Sequence, residues 1–283
     1  MAADHRILAD ASAPPVSVAR ATEALRASWP PLDERSVGGW RLGFSQGFTR
    51  RANSVWMLGE VPDARAAIGE VEEAYRARGL PSRFFATGSS SPSEVAALRA
   101  FGYVPALTGR ILAAPAPAPA PGPAAETDET PLGGAPGGPL LASGVALTIG
   151  AELSPEWLDA WLRWNGRRLP IDQRLAPRIL GAGCSDFLQV RVEGNLTALA
   201  RLTLDRDIAV IDCLVTERGS RGRGYGRLLV DLARRAAAKR GAASCLAMVV
   251  ERNAASLRLF ERAGFRELGA FSYLEAPDRI SCC

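Results

Sequence analysis

The sequence predicts an α+β fold of two consecutive layered domains, each with a mixed, mostly antiparallel sheet flanked by helices. Three observations lead to this prediction. A Pro-, Ala- and Gly-rich segment divides the 283-residue chain. Both sides of that segment repeat one order of helical and strand patterns, and the strand patterns of the second half follow one another through short turns. The length suits about two domains of roughly 150 residues each, and 47% hydrophobic residues suffice for two cores.

The dividing segment spans residues 113–143 and opens with alternating Ala and Pro. Ala-Pro alternation favours extended polyproline geometry, and the Gly- and Pro-rich remainder cannot bury a core. We therefore predict an N-terminal domain over residues 1–112, a linker over residues 113–143 and a C-terminal domain over residues 144–283. A Pro-rich ligand for a partner domain is the alternative interpretation of the segment.

An internal repeat relates the two halves. At a constant offset of 162 residues, residues 76–103 align without a gap to the second half, and Gly79 pairs with Gly241 and Gly102 with Gly264. Each copy has a helical pattern that stops at a glycine, then a strand, a second helix and a turn. A period of this length indicates duplicated domains, because solenoid repeats are far shorter.

Capping residues mark the second helix of each copy. In the first copy Ser91 is followed by Pro92, and Glu94 stands three residues after the serine. This spacing predicts a capping box, in which the serine and the glutamate satisfy backbone N–H groups reciprocally. Asn253 predicts the corresponding cap in the second copy.

The remaining elements of the second half complete an α+β layer. Turn residues predict two hairpins, at 193–195 and at 205–207. Helical patterns cover residues 153–165 and 171–180, and strand patterns cover residues 187–192, 196–204 and 208–215.

Composition excludes several classes of function. The net charge is only +4 and the arginines are scattered among acidic residues, so we expect no nucleic-acid partner. The five cysteines lack zinc-site spacing and His5 is the single histidine, so we expect no metal site and no His-based triad. Cys213 and Cys245 lie in apolar runs and are predicted core residues. No stretch has the length of a membrane span, and the cysteine usage favours the cytoplasm.

A glycine-rich turn carries the chemistry of the second half. An apolar strand ends near Thr216, and after a short loop an amphipathic helix begins within residues 221–226. Such a turn presents unpaired backbone N–H groups and the positive end of the helix dipole, which suits a phosphate or pyrophosphate. The glycines at 222, 224 and 226 do not have the spacing of the dinucleotide fingerprint, and no Walker lysine follows them.

Two linked motifs give the second half a resemblance to the GNAT superfamily of N-acetyltransferases. The first matches the family's pyrophosphate pattern R/Q-x-x-G-x-G/A, and residues 253–265 resemble its second signature, N-x-x-A-x-x-L-Y-x-x-x-G-F. The resemblance covers roughly residues 145–275, and the first half resembles the degenerate GNAT-like copy of two-domain bacterial members. The residues of the pyrophosphate motif are Arg221, Gly222, Arg223, Gly224, Tyr225 and Gly226.

The resemblance implies tandem GNAT-like domains and a reaction in which acetyl-CoA, the co-substrate, acetylates an amine. It implies that backbone groups of Leu214, Val215 and Thr216 hold the pantetheine arm and that one of their N–H groups polarises the thioester carbonyl. The pyrophosphate would bind the motif 221–226, with Asn253 near the pantetheine. Only the second half is expected to bind acyl-CoA, because Pro62 and Ala64 stand where the phosphate turn has Gly224 and Gly226.

The chain departs from the family at two positions. Phe260 replaces the tyrosine that can protonate the departing thiolate, and we expect its ring to keep a place in the cofactor pocket. Ser256 and Tyr273 are the alternative hydroxyl donors. Where some members carry a glutamate base this chain has Val210, and Asp212 projects from the same face of the strand. Asp212 is therefore a candidate base, with a structural hydrogen bond as the alternative.

The acceptor is not determined by these patterns. Trp157, Trp161, Trp164 and Asn165 lie where the fold forms its acceptor wall, but tryptophans at this helical spacing are more often core residues than a substrate cage. We expect direct attack by a primary amine of a small molecule or a protein, since no nucleophile for a covalent route is evident. The alternative is a non-catalytic protein that binds acyl-CoA or a partner, and a homodimer is an open alternative to a monomer.

Overall fold

The computed structural model describes residues 16–118 and 144–276. The first half contains α1 (Val18–Ala27), β1 (Asp33–Val37), β2 (Trp40–Phe44), β3 (Val55–Met57), α2 (Ala64–Arg76), β4 (Arg83–Thr87), α3 (Pro92–Ala100) and β5 (Val104–Pro115). The second half contains β6 (Val145–Gly150), α4 (Pro155–Trp164), α5 (Pro170–Leu180), β7 (Ser185–Val192), β8 (Asn195–Asp205), β9 (Ile208–Thr216), α6 (Tyr225–Lys239), β10 (Ser244–Val250), α7 (Ala254–Arg262) and β11 (Arg266–Glu275).

The two halves share one mixed, mostly antiparallel sheet of 11 strands, in the order β1-β2-β3-β4-β11-β5-β10-β9-β8-β7-β6. The last strand of each half crosses into the other. β11 lies between β4 and β5, and β5 pairs with β10. The predicted α+β class is confirmed, but the sheets of the two halves are continuous rather than separate. Each half therefore depends on a strand of the other to complete its hydrogen bonding.

Strand β5 extends into the predicted linker. It continues to Pro115, three positions into the segment that we expected to be a linker from residue 113. Ala113 and Ala114 are 3% and 1% exposed and pair with Leu246 and Cys245 of β10. Alanine is small enough to fill this sheet position, so composition alone misplaced the boundary. Residues 119–143 of the predicted linker lie outside the described residues.

The predicted repeat has a structural counterpart. At the offset of 162 residues α2, β4 and α3 overlap α6, β10 and α7. Asn253 caps α7 as predicted, because its side chain accepts a hydrogen bond from the Ser256 N–H at 3.1 Å. The predicted capping box at Ser91 is wrong, since its side chain makes no capping hydrogen bond. Glu94 is instead buried and accepts from the Trp40 Nε1–H at 3.0 Å and the Val61 N–H at 2.8 Å.

Both predicted hairpins are present, and the helices cover the two faces of the sheet. The turns use left-handed backbone at Glu193, Gly194 and Arg206. Helices α6 and α7 bury one apolar cluster against β7 to β10, and α4 and α5 bury another with Trp29 of the first half. Helix α1 packs on β9 and β10 of the second half. The first half thus contacts the sheet region where β9 and β10 meet.

Candidate active site

The strands β9 and β10 diverge in the middle of the sheet. Their parallel pairing begins at Ile208 with Ser244 and ends at Val210 with Leu246, although both strands continue further. A β-bulge in β9 adds to the divergence, because Cys213 and Leu214 together face the single residue Ala200 of β8. Cys213 takes a positive φ of 56° in this bulge. Backbone groups on the facing edges of β9 and β10 are thereby freed from the sheet.

A cavity of about 280 Å³ opens where the two strands separate. Its floor comes from β9 and β10, and α7 contributes Asn253, Ser256 and Phe260. Trp161 and Asn165 line it from the end of α4. The first half supplies the remaining wall, with Trp29, Thr49 and Arg51. The cavity is therefore built by both halves of the chain.

The glycine-rich turn leads from β9 into α6. Gly224 is the N-cap of α6 with a φ of 88°, and Gly222 has a φ of 79°, a conformation that favours glycine. A Cβ at either position would meet nothing within 4 Å. The backbone N–H groups from Gly222 to Gly226 make no hydrogen bond to any described residue. The turn thus offers consecutive free donors at the positive end of a helix dipole, as expected for a phosphate site.

The positive charge of this turn adds to the backbone donors. Four arginines lie in or beside it, and Arg221 is anchored by donating its Nε–H to the Thr216 carbonyl at 3.2 Å. The four are Arg218, Arg221, Arg223 and Arg227. A pyrophosphate would therefore meet both free backbone donors and guanidinium groups, and the predicted motif residues fit this ligand.

At the equivalent position of the first half, between β3 and α2, the described residues form no such turn. Its equivalent helix, α2, is capped by Asp63, whose carboxylate accepts from the N–H groups of Arg65 at 2.9 Å and Ala66 at 3.1 Å. These are the donors that a phosphate would need, and the carboxylate would repel it. The asymmetry agrees with the prediction that only the second half binds acyl-CoA.

The predicted backbone positions of β9 lie beside the cavity. Leu214 lines it directly, whereas Val215 and Thr216 pair with Leu199 and Ala198 of β8. Asn253 and Phe260, from the second signature, also line it. The Phe260 ring is buried and packs edge-on against Phe265 with ring centroids 5.0 Å apart.

Asp212 lies in an ion-pair network. Its Oδ1 accepts from the Arg201 Nε–H at 2.9 Å, and its Oδ2 accepts from Arg201 Nη2 at 2.8 Å and from Arg51 Nη1 at 3.1 Å. Arg201 is fully buried. Burial alone would lower the pKa of its guanidinium, but the adjacent carboxylate outweighs burial and raises the pKa above the ordinary value. Two guanidinium groups therefore occupy both oxygens of Asp212, an arrangement that suits the structural alternative better than the predicted base.

Tyr273 lies away from the cavity. It projects from β11 into an aromatic cluster with Phe85 and Phe271, and it is not among the cavity-lining residues. Burial raises the pKa of its hydroxyl to about 12, so the group holds its proton firmly. This position argues against the predicted role of Tyr273 as an acid, because β5 separates β11 from β10, the nearer of the two strands that line the cavity.

The thiol of Cys213 is not poised as a nucleophile. Burial and the neighbouring Asp212 carboxylate raise the pKa of Cys213 well above its ordinary value. The thiolate is the reactive form of cysteine, so this environment disfavours a covalent route. Cys245 is buried in the core as predicted, whereas Cys213 is only partly buried and lines the cavity.

The tryptophans of α4 divide between the two predicted roles. Trp157 is a core residue, fully buried, with its Nε1–H donated to the Leu188 carbonyl at 3.3 Å. Trp161 lines the cavity 6.3 Å from Trp29, measured between ring centroids. Asn165 lies beside it and donates to the Trp161 carbonyl at 2.8 Å. Trp164 is partly buried against the same cluster.

Sequence reasoning missed four residues of this site: Trp29, Thr49, Arg51 and Arg201. The first three belong to the half that lacks the motifs, and no local pattern marks them. Arg201 stands among apolar residues in its strand. A charged residue at such a position needs a buried partner, and this was the one signal that could have identified it.

In the part of the chain that the structure describes, no helix is long and apolar enough to cross a membrane. Over those same residues no group of three or more His, Cys, Asp or Glu side chains could hold a metal ion.

Comparisons with known proteins agree with this geometry. Residues 150–265 match the model of the acetyltransferase (GNAT) family. Over 262 residues the chain is 24% identical to a Bacillus subtilis (strain 168) protein described as the uncharacterized N-acetyltransferase YobR, with 87% of this chain and 94% of the relative covered.

Solved structures show the same fold over both halves. A GCN5-related N-acetyltransferase from Kribbella flavida has a TM-score of 0.67 at 16% identity, covering 93% of this chain and 96% of its own. A tandem GNAT protein from the clavulanic acid biosynthesis pathway has a TM-score of 0.61 at 15% identity, covering 90% and 87%. These similarities extend the fold assignment to the tandem arrangement of the two halves. Residues 150–265 therefore form an acetyltransferase (GNAT) domain, in a chain whose two halves have the fold of tandem GNAT proteins.

Proposed function

We propose that the chain transfers the acetyl group of acetyl-CoA to the primary amine of an acceptor by direct attack. The observation that carries the proposal is that α7 contacts both the glycine-rich turn and the cavity. The free backbone donors from Gly222 to Gly226 stand at the start of α6, where Gly226 lies against Leu259 of α7, and Ser256 and Phe260 of the same helix line the cavity between β9 and β10. A ligand with a pyrophosphate at the turn and a thioester in the cavity fits this arrangement.

In this proposal the backbone supplies the electrostatic part of catalysis. The attacking amine forms a C–N bond to the thioester carbonyl carbon, the C–S bond breaks, and CoA leaves as the thiolate that takes up the proton lost by the amine. A free N–H of the bulged segment at Leu214 would donate to the carbonyl oxygen as negative charge develops there. Leu214, Val215 and Thr216 would hold the pantetheine arm, with Asn253 and Phe260 on the opposite wall.

Proton transfer in this proposal relies on solvent or on Ser256 rather than on Tyr273. Ser256 lines the cavity, and a thiol with an ordinary pKa near 8.5 is a good leaving group that needs little help. Asp212 would act as a positioning residue, because it fixes Arg51 and Arg201 beside the acceptor space. All cysteines of the described residues are free, which fits a reducing, cytoplasmic location.

A second candidate is a protein that binds acyl-CoA without turnover. The observation that favours it is Phe260, where the family signature has a tyrosine. Release of free CoA from acetyl-CoA, measured with a thiol reagent against a panel of primary amines, separates the two candidates. Amine-dependent release with formation of the acetylated amine is the expected result. Tight binding of acetyl-CoA without release for any amine would support the second candidate instead.

A further inference from the structure

The acceptor side of the cavity carries an excess of positive charge. The charged residues that line it are Arg51 and Asp212. Arg201 lies directly behind and shares the Asp212 carboxylate, so two guanidinium groups are balanced by one carboxylate. Cys213 adds no charge, since burial raises the pKa of its thiol well above the ordinary value. One positive charge is left uncompensated beside the space where an acceptor would bind.

Arg51 carries this charge, and most of its guanidinium N–H donors are unused. Its Nη1 reaches Asp212 Oδ2 at 3.1 Å, and the guanidinium carbon lies 5.2 Å from the centroid of the Trp29 ring. Within the described ranges 16–118 and 144–276 the guanidinium of Arg51 has no other hydrogen-bond or ion-pair partner. A guanidinium carries five N–H donors in a planar fork that matches a carboxylate. Its side chain is 10% exposed, so the remaining donors are partly desolvated, where a charged hydrogen bond is strong.

The size of the cavity limits what Arg51 can bind. A volume of about 280 Å³ lies at the small end for a ligand site, and the thioester must share it. The Trp29 and Trp161 rings enclose the acceptor side with flat apolar surface. A small molecule fits this space, whereas a polycationic amine would bring positive charge against Arg51.

We infer that Arg51 binds a carboxylate of the acceptor, so that the acceptor is a small amine that also carries a carboxylate, as amino acids do. This inference rests on the proposed function and adds the substrate class. It also gives the N-terminal half a role: although it lacks a phosphate turn, it contributes the residue that selects the acceptor. Diamines and other polycationic acceptors are expected to be poor substrates.

The test compares amino acids with their carboxamides, which keep the amine and the size but lose the anionic charge. For the wild-type chain we expect kcat/KM for an accepted amino acid to exceed that for its carboxamide by at least about tenfold. Arg51→Gln should lower kcat/KM for the amino acid by about tenfold to a hundredfold, mainly through KM, and lower kcat/KM for the carboxamide much less, so that the preference for the amino acid is lost. Arg51→Lys keeps the charge without the fork and should fall between the two.

Arg50→Gln is the matched control. Arg50 neighbours Arg51 in sequence, but it pairs with Glu275 and does not line the cavity. Glu275 also pairs with Arg83, so its carboxylate still has a partner in this variant. This control should retain the wild-type preference. Acetyl-CoA affinity and melting temperature, measured for every variant, show that each one is folded.

The outcomes separate this inference from the proposed function. Acetylation of carboxamides or diamines in preference to amino acids, with no effect of Arg51→Gln, would overturn the inference and leave the transferase activity standing. If no amine is acetylated, the proposed function fails, and the inference is then decided by binding alone. Calorimetry with the amino acids supports it if they bind the wild-type chain and not Arg51→Gln, and overturns it if they bind both or neither.

Discussion

The substitution Asp212→Asn distinguishes an ion-pair role for this residue from a role as catalytic base. Asparagine keeps the size of the side chain and removes its charge. Arg201, which is fully buried, would keep its hydrogen bonds to the carbonyls of Leu180 at 2.9 Å and Ser28 at 2.6 Å. It would lose its only ion-pair partner among the described residues, and Arg51 would lose the same carboxylate.

The expected cost is large because the charge left behind cannot reach water. Removal of one partner of a buried ion pair destabilises a protein by about 3–5 kcal/mol. Asp205→Asn is the matched control, because Asp205 is also an aspartate of the second half that pairs with an arginine of the first half, Arg20. Both partners of that pair are partly exposed to solvent, at 26% and 21%, so the control should cost only about 0–1 kcal/mol.

Urea denaturation followed by circular dichroism measures both free energies of unfolding, and the CoA-release assay measures kcat for each variant at several pH values. We expect Asp212→Asn to lose stability, with a catalytic defect that does not vary with pH in the folded fraction. A variant with wild-type stability and a kcat that falls with a changed pH profile would refute the ion-pair role and restore Asp212 as the base.

Substitutions at three further positions probe the site and the core. Gly224→Asp should leave the protein folded yet abolish acetyl-CoA binding in calorimetry, since a Cβ there meets nothing within 4 Å and aspartate tolerates the left-handed backbone at modest cost. Gly224→Asn, which has similar bulk and backbone tolerance without the charge, should bind more tightly than Gly224→Asp. Equal affinities of the two variants would argue against a phosphate at this turn. Phe260→Tyr should keep or raise the transfer rate. Phe260→Ala should cost about 3 kcal/mol of stability and weaken acetyl-CoA binding, because it leaves a void beside Phe265. A transfer rate that is lower for Phe260→Tyr than for Phe260→Ala would show that the ring does not face the thioester. Burial raises the pKa of Cys245 from 9.0 to about 11, so the stability from its protonated thiol is complete below pH 9 and falls by about 1.4 kcal/mol per pH unit up to 11. The urea midpoint should therefore fall less between pH 8 and pH 10.5 in Cys245→Ala than in the wild-type chain, and buried tyrosines whose pKa values are also raised account for the fall that remains. An equal fall in the two proteins would contradict the assignment.

The motif-bearing half of the fold could be predicted from sequence because its signals are local. The strand patterns, the two hairpin turns and the Asn253 cap each depend on residues close together in the chain, and the structure has them where the patterns place them. The capping box at Ser91 failed for a tertiary reason. Glu94 lies at the predicted helix position, but burial beside Trp40 gives its carboxylate a longer-range partner than the Ser91 backbone.

The shared sheet and the acceptor wall could not be predicted, because they depend on contacts between distant segments. The pairing of β5 with β10 joins residues on either side of the predicted linker. For Asp212 the position could be predicted but the chemistry could not. The alternation along the strand puts its side chain on the face that lines the cavity. Its chemistry is set by Arg51 and Arg201, and the first of these comes from the other half of the chain.

We expect one acetyl-CoA site in each chain, at the turn that opens α6. Calorimetric titration of acetyl-CoA into the full chain counts the sites, and Asp63→Ala, which frees the helix terminus of the first half, is titrated alongside. We predict one site per chain for both proteins, because Pro62 and Ala64 stand where a phosphate turn needs glycines and Asp63 caps the helix. Two comparable sites in the wild-type chain, or no binding at all, would show that this turn is not the single acetyl-CoA site.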